Sequence, residues 1–316
     1  MNFRFLSNVF VFWFFFLFSY LLVQSYTGGD QEHYRKLYET FSKTLFSDIL
    51  RIGLVHIGSA EPLTMLILWA GAKLHIDKDI YISFWNAILS LGLFILSRKH
   101  RMNLLFTFLL LTNFYVIVLM TGAERLKFAM IFLIYSFIYF NSRKLHYGFM
   151  LISPLAHFQS LIFISGYISH VFSNQILRFF FSLKIKKSAL FFSVVVLIFL
   201  ALFLVVFSDI LLSKFDAYFS SSSISSLFNI LLLSVLVLFI ARNKFAFFLM
   251  LFVLAVFVLL FGGERVNMIA FFLSLFFLIL EKRADHPLFL LLMVYFSVKS
   301  IPFVYNIMVH GNGFHG

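Results

Sequence analysis

The chain has no cysteine in its 316 residues, which excludes disulfide staples, thiolate nucleophiles and cysteine-ligated metals, and fits either redox compartment. Charge is scarce as well. Asp, Glu, Lys and Arg make up 12% of the residues, about half the share usual in soluble globular domains. Apolar residues reach 62% and mean hydropathy is +1.00, so a water-soluble fold is excluded and an all-α polytopic membrane protein is expected. No small-residue cleavage site follows the first apolar run, residues 4–24, so this aromatic-rich stretch is read as a retained helix. The formal charge of +12 would suit a nucleic-acid partner if it were concentrated on one surface. Here the basic residues fall in short clusters between apolar runs, the pattern of membrane orientation signals, and no nucleic acid is expected. The 49 phenylalanines suit packing against lipid and one another, and no function is assigned to them.

A membrane helix needs about 20 apolar residues at about 1.5 Å each. By that measure, spans are expected at 4–24, 79–97, 102–121, 126–140, 188–208, 225–241, 245–262, 266–280 and 287–306, with one or two more inside 145–183. The total is about 11 transmembrane helices in a single polytopic membrane domain, residues 1–316. The turns Arg98-Lys99-His100-Arg101, Arg143-Lys144, Lys184-Ile185-Lys186-Lys187, Arg242-Asn243-Lys244 and Lys282-Arg283 are basic and are assigned to the cytoplasm. Residues 25–78, 208–223 and the turns near 122 and 262 then face outward. Within the 25–78 extracytoplasmic loop, the apolar segment 61–74 opens on Glu61-Pro62 and is too short to span, so it is expected to lie in or dip into the outer interface. A polar to amphipathic stretch precedes it, with a short helix over 46–55 that turns Asp48 and Arg51 outward. A loop of this length is expected to be functional.

Two turns echo each other, Gly122-Ala123-Glu124-Arg125 and Gly262-Gly263-Glu264-Arg265. Each sets an arginine at the start of an apolar helix. Arginine keeps its charge and can bind phosphate oxygens bidentately, and a helix N-terminus adds unpaired N–H groups, so Arg125 and Arg265 are candidates for an anion such as a lipid-linked pyrophosphate. The alternative is an interface anchor paired to Glu124 or Glu264. Lys127 and Lys299 are auxiliary cations or simple anchors. His157 lies in an apolar stretch, where imidazole is costly without a partner; it can accept a proton, bond a phosphate, or pack by bonding Gln159 or Ser160. Asp30 and Glu61 are the leading carboxylates for a general base, with capping of their own helix or turn as the alternative. Tyr34 and Tyr38 are candidates to stack on sugar rings, and Glu264 to contact sugar hydroxyls. Asp77-Lys78-Asp79 resembles the Asp-x-Asp of metal-using sugar transferases, but a turn before a membrane helix supplies such residues routinely, and no metal or other cofactor is assigned.

The ordered set Gly29-Asp30-x-x-x-Tyr34-x-x-x-Tyr38, Glu61-Pro62-Leu63, Arg125-x-x-x-Ala129, Leu155-Ala156-His157-Phe158-Gln159-Ser160 and Gly262-x-x-Arg265 resembles the EpsG-like and Wzy-type bacterial polysaccharide polymerases. The chain departs from the EpsG-like pattern in having one helix before Asp30 and no tyrosine directly after it. The resemblance implies a glycosyltransferase of the cytoplasmic (inner) membrane. Its active site faces the periplasm or the exterior, and its helical fold is akin to the lipid-dependent C-type glycosyltransferases. Such an enzyme joins undecaprenyl-pyrophosphate-linked oligosaccharide repeat units into O-antigen or capsular polysaccharide. Its implied partners are those lipid-linked units, membrane lipids, a chain-length regulator and a repeat-unit flippase. The competing readings are an O-antigen ligase, a polysaccharide flippase or transporter, and a membrane O-acyltransferase. They differ in the side of the membrane on which Arg125, His157 and Arg265 lie, in the size of the late outer loop and in internal symmetry.

Overall fold

The structure is a computed structural model that describes residues 3–182, 227–261 and 263–314. The expected span 188–208, the basic turn 184–187 and the loop 208–223 lie outside the described residues. All regular structure among the described residues is helical, as the composition requires. The elements are α1 (Phe3–Ser25), α2 (Asp30–Lys43), α3 (Ile49–Ile57), α4 (Pro62–Lys73), α5 (Lys78–Lys99), α6 (Leu104–Leu111), α7 (Phe114–Thr121), α8 (Glu124–Ile138), α9 (Arg143–Ala156), α10 (Ser160–Ser182), α11 (Leu227–Ile240), α12 (Lys244–Phe261), α13 (Gly263–Leu280) and α14 (Pro287–His310). They fall into two compact units, Met1–Ser160 with Leu290–Gly316, and Leu161–Phe289.

Four helices are long and apolar enough to cross a membrane, Arg4–Ser25, Lys78–Lys99, Leu104–Thr121 and Pro287–His310, and a bent pair makes up to five among the described residues. The third is interrupted. Thr112 returns its hydroxyl to the Phe108 carbonyl, and Asn113 caps the next helix by accepting from the Tyr115 amide, so 104–121 forms as α6 and α7. The 15 residues of α8 extend only about 22 Å, short of a hydrocarbon core of roughly 30 Å. Within 225–241, Leu227–Ile240 forms the 14-residue α11, and the described residues of 145–183 carry α9 and α10.

In the first unit, α5 packs between α1 and α8, α8 packs on α9, and α4 packs on α2, α3 and α9. Phe10, Trp13, Phe14, Leu17 and Leu21 recur at helical spacing on α1 and are all more than half exposed, while Val11, Phe15, Leu22 and Val23 are buried. An apolar outer stripe of this kind suits lipid, where polar glue between helices replaces the hydrophobic effect. Asn86 supplies that glue, donating to Ser19 Oγ at 2.6 Å and to the Met120 carbonyl at 2.8 Å.

Charge separates between the two ends of this unit. At one end Arg98 donates to Ser7 and Asn8, and Lys99 to the carbonyl of Ile138, just before Arg143. At the other end Arg35 bonds Asp79 and the Val23 carbonyl, Lys78 bonds Glu124, and the Gly311 carbonyl accepts from Thr27 and Gly28. The basic turns at 98–101 and 143–144 therefore share one end, and the Gly122-Ala123-Glu124-Arg125 turn occupies the opposite one.

At that second end, Phe46–Ile57 and Pro62–Lys73 form a pair bent by 101°, the geometry of a broken span or a re-entrant loop. Gly58 closes α3 in the left-handed region at φ 60°, which a side chain would strain. Gly53 permits the close approach, since a Cβ there would lie 2.8 Å from the Ser59 carbonyl. Asp48 and Arg51 form an exposed pair at 3.3 Å on the outer side of this segment.

In the second unit, α11, α12 and α13 pack together, and Gly166 on α10 lies against Leu254 and Leu273. The carboxylate of Glu281 accepts from the backbone amides of Arg242 and Asn243, which joins the basic turns at 242–244 and 282–283 at one end of that unit.

Candidate functional site

Glu61 stands at the N-cap position of α4, but its side chain makes no capping bond. The capping alternative is set aside. Its carboxylate is buried, at 0% exposure, and is held from three sides. Arg125 Nη1 donates to both oxygens at 3.2 and 3.1 Å, His157 Nδ1 lies 2.9 Å from Oε1, and the Ser59 hydroxyl donates to Oε2. The turn made by Gly58 delivers Ser59 and Glu61 to the same point.

Arg125 enters from the first turn of α8, and its Nε donates to the Tyr34 hydroxyl at 2.9 Å. Its partner is thus Glu61, reached across 64 residues, and the pairing to Glu124 is corrected. Glu124 instead faces Lys78, 2.8 Å away, because adjacent residues on a helix point about 100° apart.

His157 owes its position to the end of α9. Pro154 has no amide to offer the Met150 carbonyl, and Ser153 Oγ takes that carbonyl instead at 2.8 Å. Two residues later α9 stops, and His157 turns extended at φ −158°. The Ala156 carbonyl is fixed to α4 by Thr64 Oγ1 at 2.6 Å. The imidazole then lies between two oxygens, Glu61 Oε1 at Nδ1 and Gln159 Oε1 at Nε2, 3.1 Å away.

Four of the expected residues, Tyr34, Glu61, Arg125 and His157, therefore converge from α2, the α3–α4 turn, α8 and α9. Of the others, Asp30 and Tyr38 also lie on α2. Asp30 is exposed in the first turn of α2, one turn before Tyr34. Burial, and then Asp30, push the nearby Tyr26 phenol up to about 12. Tyr38 donates to the Ile76 carbonyl at 3.0 Å and leans on Tyr81. Burial, and then Tyr81, Asp77 and Glu124, raise its phenol well above the usual range, so it stays a neutral donor. The rings of Tyr34 and Tyr38 are both buried, so neither offers a stacking face in this structure. Arg265 is half-buried near the start of α13 in the second unit, and the side chain of Glu264 lies outside the described residues.

The Asp77-Lys78-Asp79 turn is occupied residue by residue. Asp77 caps α5 through the amides of Asp79 and Ile80, Asp79 pairs with Arg35 at 2.8 Å, and Lys78 is buried against Glu124 and Gln31. Sequence reasoning missed Ser59, Gln31 and Lys78. Ser59 carried a local signal, two residues before the only glutamate of the Glu-Pro motif; Gln31 and Lys78 carried none.

No family model matches the chain, and no curated protein or solved structure matches it.

Proposed function

We propose that this chain is a membrane glycosyltransferase that joins undecaprenyl-pyrophosphate-linked oligosaccharide repeat units on the outer face of the bacterial inner membrane. About 11 crossings and a helical architecture akin to the C-type glycosyltransferases belong to the same reading. The observation that carries it is the buried constellation of Glu61, Arg125, His157 and Tyr34, drawn from four separated segments. It supplies the groups that sugar transfer from a pyrophosphate needs. It also lies at the end of its unit opposite the basic turns, which suits an outward-facing site.

In the reaction, an acceptor hydroxyl attacks the anomeric carbon of the growing chain, and the bond from that carbon to the pyrophosphate oxygen breaks. The neutral His157 ring, its Nδ1–H donating to Glu61, takes the hydroxyl proton at Nε2 once the acceptor replaces Gln159 there, and Glu61 balances the imidazolium. The leaving pyrophosphate gains negative charge, which the Arg125 guanidinium receives. Because Arg125 Nη1 is engaged by both oxygens of Glu61, a phosphate that takes Nη1 displaces that carboxylate. The exchange leaves Glu61 free to serve His157. Donor binding and readiness of the base are linked in this way.

Glycan ladders from cells lacking the native gene test the reading. With wild-type protein restored, polymer should return; with Arg125→Ala, single repeat units capped on the lipid core should accumulate. Normal ladders from Arg125→Ala at normal protein level would reduce Arg125 to an anchor.

A further inference from the structure

The first turn of α8 carries charge on a second face. While Arg125 turns toward Glu61, Glu124 and Lys127 lie one helical turn apart and face α2 and α5. Gln31, Lys78, Glu124 and Lys127 are 0%, 6%, 0% and 0% exposed. Lys78 Nζ and Gln31 Nε2 each donate to Glu124 Oε1 at 2.8 Å, Lys78 also donates to Gln31 Oε1 at 2.7 Å, and Gln31 Nε2 also donates to the Thr121 carbonyl. Lys127 Nζ and Glu124 Oε2 are fully enclosed, yet neither has a hydrogen-bond partner among the described residues.

Two lysines face one glutamate here, so the cluster carries a formal charge of +1 from Lys78, Lys127 and Glu124. Lys78 bonds Glu124 directly. Lys127 Nζ, with three donors to satisfy, makes no hydrogen bond among the described residues and lies 5.5 Å from the centroid of the Phe128 ring. The helix end adds to the positive charge. Ala123, the N-cap of this 15-residue helix, provides no side-chain acceptor for the first-turn amides. Lys127 is the fourth helical residue, and side chains on a helix lean toward its N-terminus, so its ammonium and those amides bear on the same region.

We propose that this cluster binds one small monovalent anion of the halide class, held by Lys127 Nζ and the amides at the start of α8. Enclosure sets the size, since side chains this buried leave no path for a bulky ligand. Valence follows from charge, because one monovalent anion neutralises the formal excess of +1. The inference stands apart from the transferase reading, as it uses the opposite face of α8 and none of Tyr34, Glu61, Arg125 or His157.

Thermal unfolding of the purified full chain in detergent tests it, in sodium chloride, sodium bromide and sodium gluconate at one ionic strength. Both halides should raise the melting temperature over gluconate by roughly 2–8 °C, saturating with concentration. Lys127→Met keeps the length of the side chain and removes its charge. It should melt at the same temperature in all three salts, no lower than wild type in gluconate. Equal melting of wild type in the three salts would overturn the proposal, as would a halide effect that survives Lys127→Met. Should that variant not accumulate, crystals of wild type soaked in bromide provide the second measurement. An anomalous peak beside Lys127 supports the site, and a bromide-replete crystal with no peak there overturns it.

Discussion

Glu61 is the residue on which the account turns, because it binds both the proposed base and the proposed phosphate ligand. As a competitor of phosphate for Arg125, its charge lowers affinity for the anion; as a mere support of Arg125, it raises it. Glu61→Gln should therefore bind inorganic pyrophosphate about tenfold more tightly, a change of about 1.4 kcal/mol, while transfer falls. Isothermal titration of the purified variant reads the sign directly, with a melting curve as the control for folding. Weaker binding by Glu61→Gln would assign it a supporting role. Arg125→Lys keeps the charge and loses the fork that meets two oxygens, so kcat/KM should drop by about 10- to 150-fold, equivalent to about 1.5–3 kcal/mol. His157→Gln keeps a hydrogen-bonding side chain and loses proton transfer, a change of about 10²- to 10⁴-fold in rate. An active glutamine variant would return His157 to a packing role.

At the scale of elements, the α3–α4 bend sets the site. Gly53→Ala would place a Cβ 2.5 Å from Met65 Sδ and 2.8 Å from the Ser59 carbonyl. The methionine can turn aside; the carbonyl belongs to the backbone that carries Glu61. The variant should therefore lower transfer while leaving membrane insertion intact, measured as activity per unit of folded protein. Full activity would show that the bend tolerates displacement. Parts of this geometry were legible in the sequence. The length of 61–74 marked a segment too short to span by itself, Pro62 marked a helix start, and the pattern around 46–55 placed Asp48 and Arg51 on an outward side. The partners of Arg125 and Glu124 were not legible, because each bond joins residues tens of positions apart. Neighbouring charges in sequence suggested a local pair, whereas helical rotation sends them to different elements. The break of 102–121 at Thr112-Asn113 was hidden for a different reason: hydropathy averages over the capping asparagine that divides it.

Charge separates within the first unit: the turns bearing Arg98, Lys99 and Arg143 lie at the end opposite Glu61, Arg125 and His157, the arrangement expected of the proposed outward-facing site. The cysteine-free background makes this testable in intact cells with an impermeant maleimide. Cysteines at Glu32 and Lys43 should label from outside, and those at Lys99, Arg143 and Arg242 only after permeabilisation. All five positions are exposed or at turns. Labelling of Glu32→Cys and Lys99→Cys from the same side would contradict the topology and the outward site together. The Arg265 turn, by contrast, rests on its echo of the Arg125 turn alone, and Arg265→Ala is the variant that weighs that echo.

The central claim is that a buried Glu61–Arg125–His157 constellation transfers saccharide from a lipid pyrophosphate. Its most direct measurement uses the purified chain in liposomes with lipid-linked repeat units from its own source, followed by separation of the products by size. Wild type should yield a ladder and release undecaprenyl pyrophosphate in step with each added unit, while Arg125→Ala and His157→Gln, folded to the same extent, should leave single units. A wild-type chain that releases no undecaprenyl pyrophosphate, or ladders of equal length from both variants, would contradict it.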